Sequence, residues 1–256
     1  MTIEAFDLTG RAALVTGGSK GIGKAIASLF SRAGADVMIV SRHKDELAAA
    51  AEEIGERAAG RVTTRVADLT RRGEIQGLAD AAVGELGRVD ILVNNAGSNA
   101  PAPLNELTDE SWDWMVELNL TSCLMLTRAL VPGMKERRWG RVIYTASIMG
   151  VIGGAGRTAY SATKGALISM AHSQAVELGP HGITVNCISP GPILTDLSRA
   201  VLSEAQRAEL AKGAALGRWG EPAEVAGPAL MLASDAGAYI TGANLVVDGG
   251  VTIKAY

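Results

Sequence analysis

A chain of 256 residues that is 48% hydrophobic can fill one α/β domain, and its 31 glycines point to many tight turns and close backbone approaches. With 24 lysines and arginines against 27 aspartates and glutamates the net charge is −3, which leaves no basic surplus for wrapping nucleic acid or binding anionic lipid. Cys123 and Cys187 match no metal or redox spacing, no apolar run approaches ~18 residues, and the start carries no secretory pattern. The expectation is therefore a cytoplasmic enzyme in a single domain over residues 1–256, with reduced core thiols and with no metal, nucleic acid or membrane partner.

In chain order, Ala12-Ala13-Leu14-Val15 is a short apolar run that feeds Thr16-Gly17-Gly18-Ser19-Lys20-Gly21-Ile22-Gly23. A helical pattern follows through Ile26, Leu29 and Phe30 and closes at Ala33-Gly34. Glycines in such a turn let backbone approach a diphosphate, and the free N–H groups of the helix start bind it. The spacing is Gly-x-x-x-Gly-x-Gly, not the commoner Gly-x-Gly-x-x-Gly, and a purely structural turn would look similar. The next strand, 36–40, stands where a βα unit needs it and favours the dinucleotide reading. At the end of that strand an acid would hold the adenosine ribose hydroxyls and repel a 2′-phosphate. Ser41-Arg42 stands there instead, with Lys20 in the neighbouring turn. A hydroxyl and two cations suit a phosphate dianion, although both cations could instead be ordinary solvated side chains; NADP(H) is expected in preference to NAD(H).

Residues 44–58 pattern as a helix and 62–67 as a third strand, which Asp68-Leu69-Thr70 ends. Asp68 could reach an adenine edge or cap the next helix, 71–86. A fourth strand, 90–93, runs into Asn94-Asn95-Ala96-Gly97, whose small residues and amides could line a ribose and stitch neighbouring strands. From Asp109 a long helical pattern carries Trp112, Met115, Val116, Leu118 and Asn119. An asparagine inside a helix is locally unfavourable, so Asn119 is either packed or kept for a site.

A fifth strand, 141–146, places Ser147 at a strand end. After a glycine-rich loop, Tyr160 and Lys164 fall four apart on one face of a helix opening near Thr158. An ammonium beside a phenol favours the phenolate, and a serine hydroxyl could hold a substrate oxygen, which together make a proton donor and acceptor for a carbonyl or carbinol. Tyr-x-x-x-Lys also occurs on many helices by chance. A sixth strand, 183–188, is broken by Ser189-Pro190-Gly191-Pro192, with Ile193 and Thr195 beyond. A polar helix, 197–212, is expected within a substrate-covering flap, 191–220. Pro222 suits a first helical turn, and Gly227-Pro228 predicts a kink or a late start there. A last strand, 245–247, ends at Asp248-Gly249-Gly250.

Thr16-Gly17-x3-Gly21-Ile22-Gly23, Asn94-Asn95-Ala96-Gly97, Asn119, Ser147, Tyr160-x3-Lys164 and Pro190-Gly191 occur in an order and spacing that resembles the short-chain dehydrogenase/reductase family, from about residue 8 to 250. The resemblance implies a Rossmann-like, doubly wound parallel sheet of seven strands in the order 3-2-1-4-5-6-7 with helices on both faces. Alternating strand and helix patterns joined by right-handed crossovers lead to the same architecture. It further implies a catalytic set. Tyr160 would be the general acid or base, Lys164 would tune it and hold the nicotinamide ribose, and Ser147 would fix the substrate oxygen. Asn119, through its backbone, would hold a water for proton supply.

Coenzyme contacts are implied for Gly17, Ser19, Lys20, Gly21, Ile22 and Gly23 at the phosphates, and for Asp68 and Leu69 at the adenine. Asn94, Ala96 and Gly97 would meet the ribose. Pro190, Gly191, Ile193 and Thr195 would stand on the nicotinamide side, the last two at its amide. The chemistry implied is hydride transfer between NADP(H) and a small ketone or secondary alcohol. Gly156-Arg157 and Arg218-Trp219-Gly220-Glu221 resemble sugar-acid and polyol dehydrogenases of the family; Arg157 could meet an anionic substrate or serve the surface. The alternative is a 3-oxoacyl-[acyl-carrier-protein] reductase. Those reductases usually offer two arginines to an acidic carrier, and Pro132 and Val176 stand at the matching positions here. A non-catalytic dinucleotide sensor is the third reading, and it predicts a broken catalytic set. A homotetramer pairing the last strand and the two long helices is implied as well.

Overall fold

Short apolar runs alternating with helical patterns leave the central strands sandwiched on both faces, and that burial organises the chain. The computed structural model describes residues 3–195, 198 and 203–254. Its strands are β1 (Ala12–Thr16), β2 (Asp36–Ser41), β3 (Val62–Val66), β4 (Ile91–Asn94), β5 (Gly140–Thr145), β6 (Ile183–Pro190) and β7 (Asn244–Val247). All pair parallel in one seven-stranded sheet, in the order β3-β2-β1-β4-β5-β6-β7. Every residue of β1, β4, β5 and β6 is buried, whereas the edge strand β3 is largely open. The helices are α1 (Gly21–Arg32), α2 (Lys44–Gly55), α3 (Arg72–Leu86), α4 (Asp109–Val116), α5 (Ser122–Arg137), α6 (Thr158–Leu178), α7 (Glu204–Ala211) and α8 (Pro222–Ala233).

The period-2 geometry of a strand sends successive side chains to opposite faces. Leu14, Met38, Leu92 and Val142 pack with Leu126 of α5 and Leu167 of α6 on one side. Val15, Ile39, Val93 and Ile143 pack with Ile26 and Phe30 of α1 and Val225 of α8 on the other. The chain winds outward from β1 to β3, then crosses back to β4 on the other side of β1. The crevice at the carboxyl ends of β1 and β4 is therefore the switch point where such sheets bind ligands. At the opposite end of the sheet the buried carboxylate of Asp90 meets Arg88 Nε at 2.8 Å and Arg137 Nε at 3.3 Å, and accepts from the Ala12 N–H at 3.1 Å. One carboxylate thus ties β1, β4 and α5 together.

Several expectations are corrected. The helix expected from Asp109 is interrupted at Glu117–Thr121 by a π-helical turn that contains Asn119, a departure common at functional sites. Asp68 does not cap α3: the N-cap is Arg71, and the Asp68 carboxylate turns back onto the Thr70 N–H and hydroxyl at 3.0 and 2.8 Å. The late start at Pro228 does not occur, since α8 begins at Pro222 and runs through Pro228. A proline inside a helix costs about 3 kcal/mol, but α8 buries Val225, Ala226, Ala229, Leu232 and Ala233, and that burial outweighs it. The second helix ends at Gly55 and the third strand at Val66, both short of expectation. Of the helix expected over 197–212, residues 204–211 are helical behind a Ser203–Gln206 capping box, while 197 and 199–202 lie outside the described residues. Both cysteines are free and buried; burial pushes both thiols up, Cys187 to about 12. Among the described residues no helix is long and apolar enough to cross a membrane.

Candidate active site

The floor of the crevice is built by side chains that lace strand ends together. Thr16 Oγ1 accepts from the N–H groups of Asn95 and Ala96, each at 3.0 Å. Asn95 Nδ2 donates to Thr16 O at 3.0 Å and Gly17 O at 3.3 Å, and its Oδ1 accepts from Thr145 Oγ1 at 3.3 Å. This clamp spans β1, β4 and β5. Above it, α1 starts at Lys20 with no side-chain cap, so its first N–H groups are left to a ligand. An anion there gains those donors and the helix dipole together.

Three adjoining cavities share Gly97. One of about 250 Å³ is lined by Gly17, Gly21, Ile22, Ala96 and Thr195, against the α1 start. A second, of about 290 Å³, reaches the end of β2 past Ser19, Lys20, Ser41, Arg42, Glu46 and Leu69. The third, of about 270 Å³, holds Ser147, Tyr160, Lys164, Pro190, Gly191 and Ile193. A cleft with an uncapped helix start at its centre and pockets to either side fits a dinucleotide. A larger depression of about 470 Å³ follows the outer side of α1 but holds neither Tyr160 nor Lys164.

In the third pocket Lys164 is 4% exposed and its Nζ donates to Thr145 O at 2.7 Å. That bond fixes the ammonium 5.6 Å from the centroid of the Tyr160 ring. Ser147 Oγ accepts from the Met149 N–H at 3.1 Å, so its own proton is free to donate. Behind them, Asn119 Nδ2 donates to Ser98 O and to Thr163 Oγ1, and the Thr163 hydroxyl donates to Tyr160 O at 2.8 Å. Asn119 Oδ1 accepts from the Ser98 N–H at 2.9 Å. The π-turn, the β4 loop and the Tyr160 helix are thereby fixed to one another.

Four residues expected at the cofactor or catalytic site stand outside the pocket linings. Gly23 packs beneath the turn, where a Cβ would lie 2.2 Å from Gly17 O. The Asn94 side chain is buried and donates to Thr127 Oγ1 at 3.1 Å, pointing into the core. Asp68 is folded onto Thr70 between the lining residues Ala67 and Leu69. Burial alone would raise its carboxyl, but the Thr70 bonds and the charges of Arg42 and Arg71 hold it below the usual range. Asn119 lies behind Gly97, within 3.1 Å of where a Cβ on that glycine would be.

Of the two cations expected at the end of β2, one has a protein partner. Lys20 Nζ pairs with Glu46 at 2.7 Å, and that hydrogen bond lowers the Glu46 carboxyl. The sequence alone does not single out Glu46, Asn99, Thr145 or Thr163. Thr163 stands beside Lys164 in the motif, whereas nothing in the local pattern aims Glu46 at the turn. Among the described residues no group of three or more His, Cys, Asp or Glu could hold a metal ion.

Against known proteins, a family model described as enoyl-(acyl carrier protein) reductase matches residues 17–252. The 3-oxoacyl-[acyl-carrier-protein] reductase FabG of Vibrio cholerae is 40% identical over 245 residues, covering 96% of this chain and 98% of its own length. A short-chain type dehydrogenase/reductase from Mycobacterium marinum superposes with a TM-score of 0.92 at 36% identity, covering 98% of this chain and 99% of that one. A proposed NAD(P)-dependent gluconate 5-dehydrogenase from Beutenbergia cavernae, solved with NADP at low occupancy, gives a TM-score of 0.92 at 36% identity, covering 98% of this chain and all of that one.

Proposed function

The chain belongs to the short-chain dehydrogenase/reductase family and is an oxidoreductase acting on CH–OH groups; from that premise we propose that it uses NADP(H) to interconvert a ketone and a secondary alcohol on a small polar molecule, in the class of sugar acids and polyols. The observation that carries the proposal is the gathering of Ser147, Tyr160 and Lys164 in one pocket that adjoins the uncapped start of α1. When bound, the nicotinamide coenzyme supplies or accepts the hydride. Tyr160 gives its hydroxyl proton to the carbonyl oxygen in reduction and takes it back in oxidation. Ser147, already accepting from Met149, donates its proton to the same oxygen. An ammonium carries three donors; Lys164 uses one on Thr145 O and keeps the others for ribose hydroxyls. With the Asn119 amide committed, that residue acts through its backbone, holding the water that returns protons.

The preference for NADP(H) is supported by Ser41 and Arg42 at the end of β2, with no acid on that strand end. The exposed Lys20 would exchange its half-buried partner Glu46 for the 2′-phosphate, at little cost because ion pairs near the surface are weak. A bond to a charged group is worth about 1.5–3 kcal/mol, so Arg42→Asp should raise KM for NADPH by roughly 10- to 100-fold. KM for NADH should move less than about threefold, measured side by side on one substrate. Equal effects on both coenzymes would remove the phosphate clamp.

A second reading, 3-oxoacyl-[acyl-carrier-protein] reduction, is favoured by the name of the Vibrio cholerae relative. Against it, Pro132 lies inside α5 and the exposed Val176 lies on α6 where carrier-docking arginines are expected. NADPH oxidation with 5-ketogluconate, an acetoacetyl thioester and a simple diketone separates the two. We expect the hydroxylated acid to be turned over fastest; robust thioester turnover would reverse the order. The exposed apolar residues Leu124 and Val176 on α5 and α6, and Tyr239 and Val246 near the β7 edge, support a homotetramer, which light scattering at micromolar protein checks.

A further inference from the structure

Besides Asn94, whose side chain turns into the core onto Thr127, three carboxamides gather at the carboxyl end of β4, and two of them are fully used. Asn95 spends both amide atoms on Thr16, Gly17 and Thr145. Asn119 spends both on Ser98 and Thr163. The third, Asn99, lines the pocket that holds Ser147, Tyr160 and Lys164, and its Oδ1 is closed off from solvent with no hydrogen-bond partner. Buried polar atoms are rarely left unpaired, and of the five such side-chain atoms among the described residues Asn99 Oδ1 belongs to the residue that lines this pocket. An amide also turns readily about its last torsion, so the group can present its oxygen to whatever fills the pocket.

The chemistry of the other pocket groups assigns what it would meet. Ser147 and Tyr160 bring hydroxyl donors to the pocket, and Lys164 is a cation fixed on the Thr145 carbonyl. The amide oxygen of Asn99 is an acceptor, and an acceptor without a donor selects a ligand that brings an O–H. Resting on the reading of this pocket as a ketone/alcohol site, we propose that Asn99 is a specificity-determining residue: its carboxamide accepts from a hydroxyl close to the reacting carbon, and so selects polyhydroxylated ketones over bare alkyl ketones or β-keto thioesters, which carry no hydroxyl there. A site built to bond a substrate hydroxyl rejects analogues that lack it far more strongly than an apolar pocket rejects a missing methylene.

The test uses two four-carbon ketones, erythrulose and 2,3-butanedione, with NADPH oxidation as the readout and NADPH affinity followed by fluorescence. Wild-type protein should favour erythrulose. Asn99→Ala should lower kcat/KM for erythrulose by roughly 10- to 100-fold, the span typical of one lost directional hydrogen bond. Butanedione turnover should stay within about threefold, and NADPH affinity should be unchanged. Asn99→Asp keeps an acceptor at the position and should retain the preference for erythrulose. Equal losses on both ketones would make Asn99 merely structural and overturn the inference, as would no loss on either, or an Asp variant as impaired as Ala. Wild-type protein that reduces butanedione but not erythrulose would overturn the substrate class alone. Failure to reduce any ketone would overturn the underlying ketone/alcohol reading as well.

Discussion

Tyr160→Phe should lower kcat by roughly 10²- to 10⁴-fold, the usual contribution of a positioned general acid, with NADPH affinity within about twofold of wild type. The substitution removes one oxygen and leaves the ring on α6. It leaves Lys164 on Thr145 O and the Thr163 bond to the Tyr160 carbonyl in place, since those contacts belong to other atoms. Tyr144 is the internal control. Its hydroxyl is boxed between Thr127 at 2.8 Å and Gln174 at 2.7 Å inside the core, and burial pushes the phenol well above its ordinary range. It touches none of the pockets of the cleft. Tyr144→Phe should therefore cost about 1 kcal/mol of stability for the lost bonds while kcat stays near wild type. Single-turnover NADPH oxidation and thermal melts of the two variants would read both effects. If the Tyr160→Phe variant kept its turnover with coenzyme binding intact, Tyr160 would not be the general acid; a wild-type protein that binds NADPH and turns over no ketone would be a dinucleotide sensor on this fold.

The layout of the sheet could be read from the chain because the central strands are short apolar runs, buried throughout. Burial on both faces leaves little freedom about which segments pair. The pocket residues at strand ends, Ser147 and the Pro190–Gly191 break, followed from that layout. What could not be read is how side chains share partners across strands. Asn94 and Asn95 are adjacent and chemically identical, yet the pleat sends one into the core onto Thr127 and the other over the switch point onto Thr16 and Gly17. Lys20 reads as a free cation until the first turn of α2 brings Glu46 beside it, 26 residues away. Asp68 suits a cap, but an Asx turn onto Thr70 takes its carboxylate and Arg71 is the N-cap instead. The π-turn at Asn119 has no local signature; it lets Asn119 reach Ser98 and Thr163 on two other elements.

The same chemical change, glycine to alanine, should have opposite signs at two helical positions. Gly23 lies in the first turn of α1, and a Cβ there would come within 2.2 Å of Gly17 O, 2.4 Å of Asn95 Nδ2 and 2.8 Å of Gly17 C. None of these atoms can yield cheaply. Gly17 is in a left-handed turn at φ +65° packed on Ala96, and Asn95 holds three strand ends. The start of α1 must therefore move away from β4, or the Asn95 clamp must open. Overpacking of this kind costs about 1–3 kcal/mol, and for a chain of this size each kcal/mol lowers Tm by roughly 2–4 °C. Because the displaced groups are the helix-start N–H donors proposed to hold the diphosphate, Gly23→Ala should also weaken NADPH binding at least tenfold. Gly77, exposed on α3, has nothing within 4 Å of its missing Cβ. Gly77→Ala should stabilise by about 0.5–1 kcal/mol through the restricted unfolded chain and better helix propensity, leaving NADPH affinity untouched. Melting curves and coenzyme titrations on both variants separate the contributions. A Gly23→Ala protein that melts lower but binds NADPH as tightly as wild type would make the turn a packing device only, and the diphosphate would have to bind elsewhere in the cleft.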